Sequence, residues 1–110
     1  MSNPYNQTTL VGRFVTDPEL KSTNSGKDVV NFTLVPLNPN KDAAPSFVDC
    51  VAWGPTAKSI CEYFEKGKAI LTTGHIETST YENKEGKNIK KTEVIIDSWA
   101  FPPREKTENE

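Results

Sequence analysis

A single histidine in 110 residues leaves no histidine-built metal site, and no hydroxyl or thiol has an evident base beside it in the sequence. Catalysis, a cofactor and a metal are therefore not expected. Cys50 and Cys61 are too widely spaced for a metal pair or a C-x-x-C redox motif, and their apolar surroundings suit small core side chains. Net positive charge is also missing. With 13 basic and 15 acidic residues the chain carries −2, so bulk electrostatics gives no argument for a polyanionic partner. No apolar run approaches membrane-spanning length, and the first residues lack the basic and apolar regions of a signal peptide. These absences imply a soluble, reduced chain in the cytoplasm, with no membrane contact. No internal repeat interrupts it.

What is present is a scatter of aromatics, two Trp, three Tyr and five Phe, in a chain long enough for one domain with its own core. Residues 46–54 organise the rest. They alternate as a strand, with Val48, Cys50 and Ala52 on one face and Phe47, Asp49, Val51 and Trp53 on the other. The first row suits a core. The second sets two large rings about 20 Å apart on one face, either under a second layer or as a platform for flat ligands.

Residues 8–15 are β-favouring, with Gly12 marking a bend of the kind that curls a sheet into a barrel. Residues 29–35 form a second strand with Val30, Phe32 and Leu34 as core candidates, and a proline-punctuated connection follows at 36–45. Ala57, Ile60, Cys61 and Phe64 fall at helical spacing, which predicts a short helix from Pro55 to Lys66 capped by Gly67. Residues 69–81 predict a long strand bent at Gly74. A turn around Gly86 and a returning strand at 90–99 complete the pattern. Three strands, a helix and two strands give an all-β fold, a five-stranded Greek-key barrel of the oligonucleotide-binding (OB) type with its helix between strands three and four. A generic small β-barrel with a capping helix is the alternative. The domain is expected over 1–103, with a short charged disordered tail at 104–110.

These residues resemble bacterial and phage single-stranded DNA-binding proteins. The resemblance rests on the block from Leu10 to Leu20, Val30 to Leu34, Phe47 to Trp53 with the following helix and Lys66-Gly67, Gly74 to Thr78, and Thr92 to Val94. It covers about residues 6–101, in the family's order and near its spacing. The resemblance implies sequence-independent binding and protection of single-stranded DNA during replication, recombination or repair, by a homo-oligomer, usually a tetramer, with a dimer as the alternative. Phe47 and Trp53 match the family's stacking positions, and Tyr81 matches its hairpin-tip aromatic.

Stacking contributes about 1–3 kcal/mol per base and tolerates any base. Lys84, Lys87, Lys90 and Lys91 surround Tyr81 and, with Glu85, leave a local +3. Together with Arg13 they are the phosphate-contact candidates, with Lys21, Lys27 and Lys41 as weaker ones. Three departures from the family predict weaker or rerouted binding. The connection at 38–46 lacks the family's further aromatic, Glu77 and Ser79 stand where relatives often carry basic residues, and Asp49 faces the platform. Asp49→Asn is expected to tighten binding. The ending Arg104 to Glu110 has neither the length nor the apolar terminus of the partner-recruiting tip of cellular members, which implies a phage-type, mobile-element or truncated form without such recruitment. The negative charge and the acidic platform keep one other reading open: a protein-interaction module of a replication-restart complex that binds DNA only weakly.

Overall fold

Each alternating segment forms a strand, and the one apolar stripe at helical spacing forms a helix. The computed structural model describes residues 5–38, 40 and 42–102. The tail expected at 104–110, and Lys41, lie outside the described residues. The elements are β1 (Thr8–Phe14), β2 (Lys21–Ser22), β3 (Asp28–Pro36), β4 (Val48–Trp53), α1 (Gly54–Tyr63), β5 (Ala69–Glu82) and β6 (Asn88–Ala100).

The strands run β1-β5-β6-β4-β3-β2 across one sheet, and a further β1–β3 pairing closes it into a ring. All pairs are antiparallel except β4–β6, which is parallel through Cys50↔Val94 and Val51↔Ile95. The short hairpin strand β2, registered on β3 at Lys21↔Val29, was not legible in advance. The OB-type barrel predicted from the order of elements is the fold observed.

Inward side chains fill the ring. Val30, Phe32 and Leu34 of β3 meet Cys50 and Ala52 of β4, Ile70 of β5, and Val94 and Ile96 of β6. Ala57, Ile60 and Phe64 plug one end, and the Phe14 ring lies 4.9 Å from Phe32 and 5.4 Å from Phe64. Burying such side chains is the main source of stability, each contributing about 1.5–3 kcal/mol.

Two glycines make the curvature possible. Gly12 pairs with both Ile70 of β5 and Pro36 of β3, at the point where β1 passes from one neighbour to the other. A Cβ there would lie 2.9 Å from the Val35 carbonyl oxygen. Gly74 sits at a register shift in the β5–β6 ladder, and a Cβ would overlap the Ile95 carbonyl. Only a residue without a side chain allows strands this close at a barrel corner.

The helix is shorter than its apolar stripe predicted. It ends at Tyr63, because Phe64 adopts extended angles (φ −123°, ψ 152°) that turn its ring into the core while its N–H still donates to the Ile60 carbonyl. Gly67 therefore does not cap the helix. With φ 89° it serves the turn from Glu65 to Lys68, and its N–H donates to the Phe14 carbonyl at 2.9 Å.

Candidate nucleic-acid interface

Because β4 alternates, Cys50 and Ala52 point inward and Asp49 and Trp53 point outward. Phe47 lies one residue before β4 rather than within it and is 65% exposed; Trp53 is 45% exposed. The outer row is not a continuous platform, since Val51 is buried between Asn31 of β3 and Ile95 of β6. Trp53 occupies the residue before the helix, and Gly54 takes φ 63°, so strand turns into helix with the indole left at the corner.

Tyr81 belongs to a ribbon in which β5 and β6 continue beyond the barrel, paired from Glu77↔Glu93 out to Glu82↔Asn88. Asn83 builds its turn, the Oδ1 accepting from the Glu85 and Lys87 amides at 2.9 Å each, while Gly86 takes φ 80°. Directly paired residues share a face, so Tyr81, Ile89, Ser79 and Lys91 lie on the side that continues the outer face of β4. Lys84 and Lys87 flank the tip. Lys90 pairs with Thr80 and falls on the other face, so the ribbon does not gather all four lysines around Tyr81.

Arg13 is also separate from the ribbon. It pairs with Ala69, at the far end of β5 from Tyr81, about 40 Å along the strand. It lies nearer Phe47. Arg13 pairs with Val35, and one step beyond the Leu34↔Val48 pair Val35 adjoins Phe47, two strand spacings or about 10 Å away. One guanidinium N–H, on Nη1, donates to the Gly67 carbonyl at 3.1 Å.

Nine of the ten aromatics, all but Tyr5, divide into two sets. Phe14, Phe32, Tyr63, Phe64, Trp99 and Phe101 each contact another ring. Phe47, Trp53 and Tyr81 contact no ring among the described residues, and all three are exposed on the outer face. Trp99 packs against the core beside the helix and donates from Nε1 to Ser59 Oγ at 2.8 Å.

Acid lies between these rings. Asp49 Oδ1 accepts from Thr33 Oγ1 at 3.1 Å, so the residue is tied to the neighbouring strand. Glu77 stands directly opposite Glu93, a repulsive pair. Lys91 offsets it at 3.6 Å from Glu93, and His75 offsets it through Nε2, 2.7 Å from Glu77 Oε2. The other histidine nitrogen, Nδ1, lies 3.0 Å from Asp97 Oδ2. These two hydrogen bonds, Asp97 first, raise the His75 pKa above its ordinary value. In the sequence His75 stands out only as the lone histidine. Its spacing from Glu77 was visible, but Asp97 was not, because the bulge at Gly74 offsets the register. Burial, then the Asp49 and Glu93 charges, push the Cys50 thiol up to about 12, so it is an unreactive core group. Among the described residues no cluster of His, Cys, Asp or Glu is placed to hold a metal ion, and no helix is long and apolar enough to cross a membrane.

A closed Greek-key ring with a helix plugging one end and unpaired rings on its outer wall defines an OB-type barrel protein. More narrowly, the Single-strand binding protein family model matches residues 5–102, and the chain belongs to that family. It is 38% identical over 109 residues to Single-stranded DNA-binding protein B of Bacillus subtilis (strain 168), covering 93% of this chain and 96% of that protein. It is 38% identical over 100 residues to Single-stranded DNA-binding protein 1 of Staphylococcus aureus (strain Mu50 / ATCC 700699), covering 87% of this chain and 64% of that one. Over 100 residues it is 35% identical to the Single-stranded DNA-binding protein of Lactiplantibacillus plantarum (strain ATCC BAA-793 / NCIMB 8826 / WCFS1), again 87% of this chain but 50% of the relative. The chain thus spans about half to two-thirds of the longer relatives and nearly the whole of the shorter one.

Proposed function

We propose that the protein binds single-stranded DNA with little regard to sequence and shields it during replication, recombination or repair in the bacterial cytoplasm. The observation that carries this reading is the set of exposed, ring-free aromatics on one outer face, Phe47 and Trp53 on the barrel and Tyr81 on the ribbon. Three stacked bases contribute roughly 3–9 kcal/mol before ordering costs. Arg13, Lys84 and Lys87 supply phosphate contacts along the strand, Lys91 lies on the same face as Tyr81, and Lys90 is reached only from the ribbon's other side. No chemistry is performed; binding is the whole activity.

The binding unit is a homo-oligomer, a tetramer or a dimer. Supporting this, β1 meets the β3 side only from Val11 onward, which leaves the edge from Thr8 to Leu10 without a β3 partner, and Phe101 is 63% exposed. Light scattering of the purified chain gives the subunit number.

Titration with poly-dT, followed by tryptophan fluorescence at low salt, tests the function. Quenching that saturates and weakens with salt is expected. An unquenched signal at low salt would overturn it in favour of a protein-interaction module.

A further inference from the structure

The outer face holds a cavity of about 250 Å³ in the stretch between Phe47 and the ribbon. Its polar lining is Thr16, Asn31 and Thr33 with Asp49, Lys91 and Glu93. That volume is below the roughly 300–1,000 Å³ of drug-sized sites and suits one flat ring system. The polar atoms are arranged. Thr33 Oγ1 donates to Asp49 Oδ1 at 3.1 Å and fixes the carboxylate, while Asp49 Oδ2 has no partner among the described residues. On β6, the strand beside β4, Lys91 Nζ is held 3.6 Å from Glu93 Oε2 of the same strand. The same cavity wall thus carries the two acceptor oxygens of Asp49 and, on β6, an ammonium donor, Lys91, whose present partner is Glu93.

The free edges of the four bases meet this pattern differently. Guanine presents two adjacent N–H donors, at N1 and N2, beside the O6 acceptor. Thymine presents carbonyl oxygens on both sides of a single N–H, and one of them must face the carboxylate. Adenine and cytosine each offer one amino group next to a bare ring nitrogen. Only guanine satisfies both carboxylate oxygens and the ammonium together.

We propose that this cavity reads guanine in the bound strand, Asp49 accepting from N1–H and N2–H and Lys91 donating to O6. The proposal rests on the single-stranded DNA reading and adds one base-selective position to an otherwise tolerant path. It gives Asp49 a purpose. A carboxylate on a DNA-binding face opposes the phosphate backbone everywhere, but at this position it discriminates between bases.

The test compares a short oligothymidylate with the same oligomer carrying one central guanine or one central adenine, by fluorescence titration of the full chain. A single guanine forms no quadruplex, and a short oligomer can shift until the guanine reaches the cavity. The guanine oligomer is expected to bind about fivefold tighter than either other oligomer, within the discrimination of one bidentate contact. Asp49→Asn should erase that preference while tightening binding to plain oligothymidylate, and Thr33→Val, which frees the carboxylate, should reduce it. Thermal midpoints of both variants check that the fold is intact. Equal affinities for all three oligomers, or a guanine preference that survives Asp49→Asn, would overturn the proposal and leave the general binding untouched. Failure to bind any oligomer at low salt overturns the single-stranded DNA reading first.

Discussion

Two groups of aromatics sit at different places on one small barrel, and chemistry separates them more clearly than exposure does. At the helix end, Tyr63 is 49% exposed and Phe101 63%, as open as the rings of the outer face. Yet Tyr63, Phe64, Trp99 and Phe101 form a network with centroids 4.9–6.1 Å apart, and the Trp99 N–H is satisfied by Ser59. On the outer face Trp53, Phe47 and Tyr81 meet no other ring. Rings that have already stacked on one another stabilise the fold by about 0.5–1.5 kcal/mol per pair. Rings that have not are available to a base. Partnering, not surface area, separates the structural aromatics from those proposed to bind.

The sharpest way to break this contrast is to exchange roles between the two tryptophans. Trp53→Ala should weaken poly-dT binding by about 10- to 100-fold and remove most of the fluorescence quenching, with the thermal midpoint nearly unchanged. Trp99→Phe should leave affinity within about twofold yet destabilise the fold by about 1–2 kcal/mol through the lost hydrogen bond and packing. Quenching that followed Trp99 instead would reverse the two assignments. A smaller effect is expected at the ribbon tip. Replacing Lys84 and Lys87 by Gln should lower the salt slope of binding by about 1.4, roughly 0.7 for each phosphate contact on a single strand. The same pair of changes at residues off the DNA path would leave the slope alone.

The smallest effect concerns the histidine that holds the acids on this face. His75 has a raised pKa in the folded state, so the folded protein holds that proton more tightly than the unfolded chain does. Its contribution to stability is full below the unfolded value of about 6.5 and is lost as pH rises through the folded value. Denaturant midpoints should therefore fall modestly as pH rises above about 6.5, and His75→Gln should flatten that decline.

The fold was legible where one local rule decided the outcome. Period-two alternation identified Val30, Phe32 and Leu34 as core, and glycine inside a strand marked Gly12 and Gly74 as corners. What stayed hidden depended on neighbours distant in the chain. The apolar stripe said where the helix faces but not that Phe64 would leave helical geometry to reach Phe14 and Trp99. At the site, composition placed four lysines near Tyr81, and only the register showed Lys90 turned to the other face. Val51 looked like part of the exposed row until the flanking strands covered it. Asp49 was correctly seen to face outward, but its bond to Thr33 required the β3–β4 register.

The parallel β4–β6 pairing joins the two halves of the ring through only two registered pairs, Cys50↔Val94 and Val51↔Ile95. Such a junction joins segments far apart in the chain, so we expect it to form late in folding and to be a place where the native barrel opens transiently. Cys50, 1% exposed, sits on that seam, so the rate at which a thiol reagent modifies it in a Cys61→Ser background measures how often the barrel gapes. A nucleic-acid strand that touches Trp53 on one side and the ribbon on the other bridges this junction like a suture. Bound DNA should therefore slow Cys50 modification, and the wall that carries the ligand is in turn held shut by it.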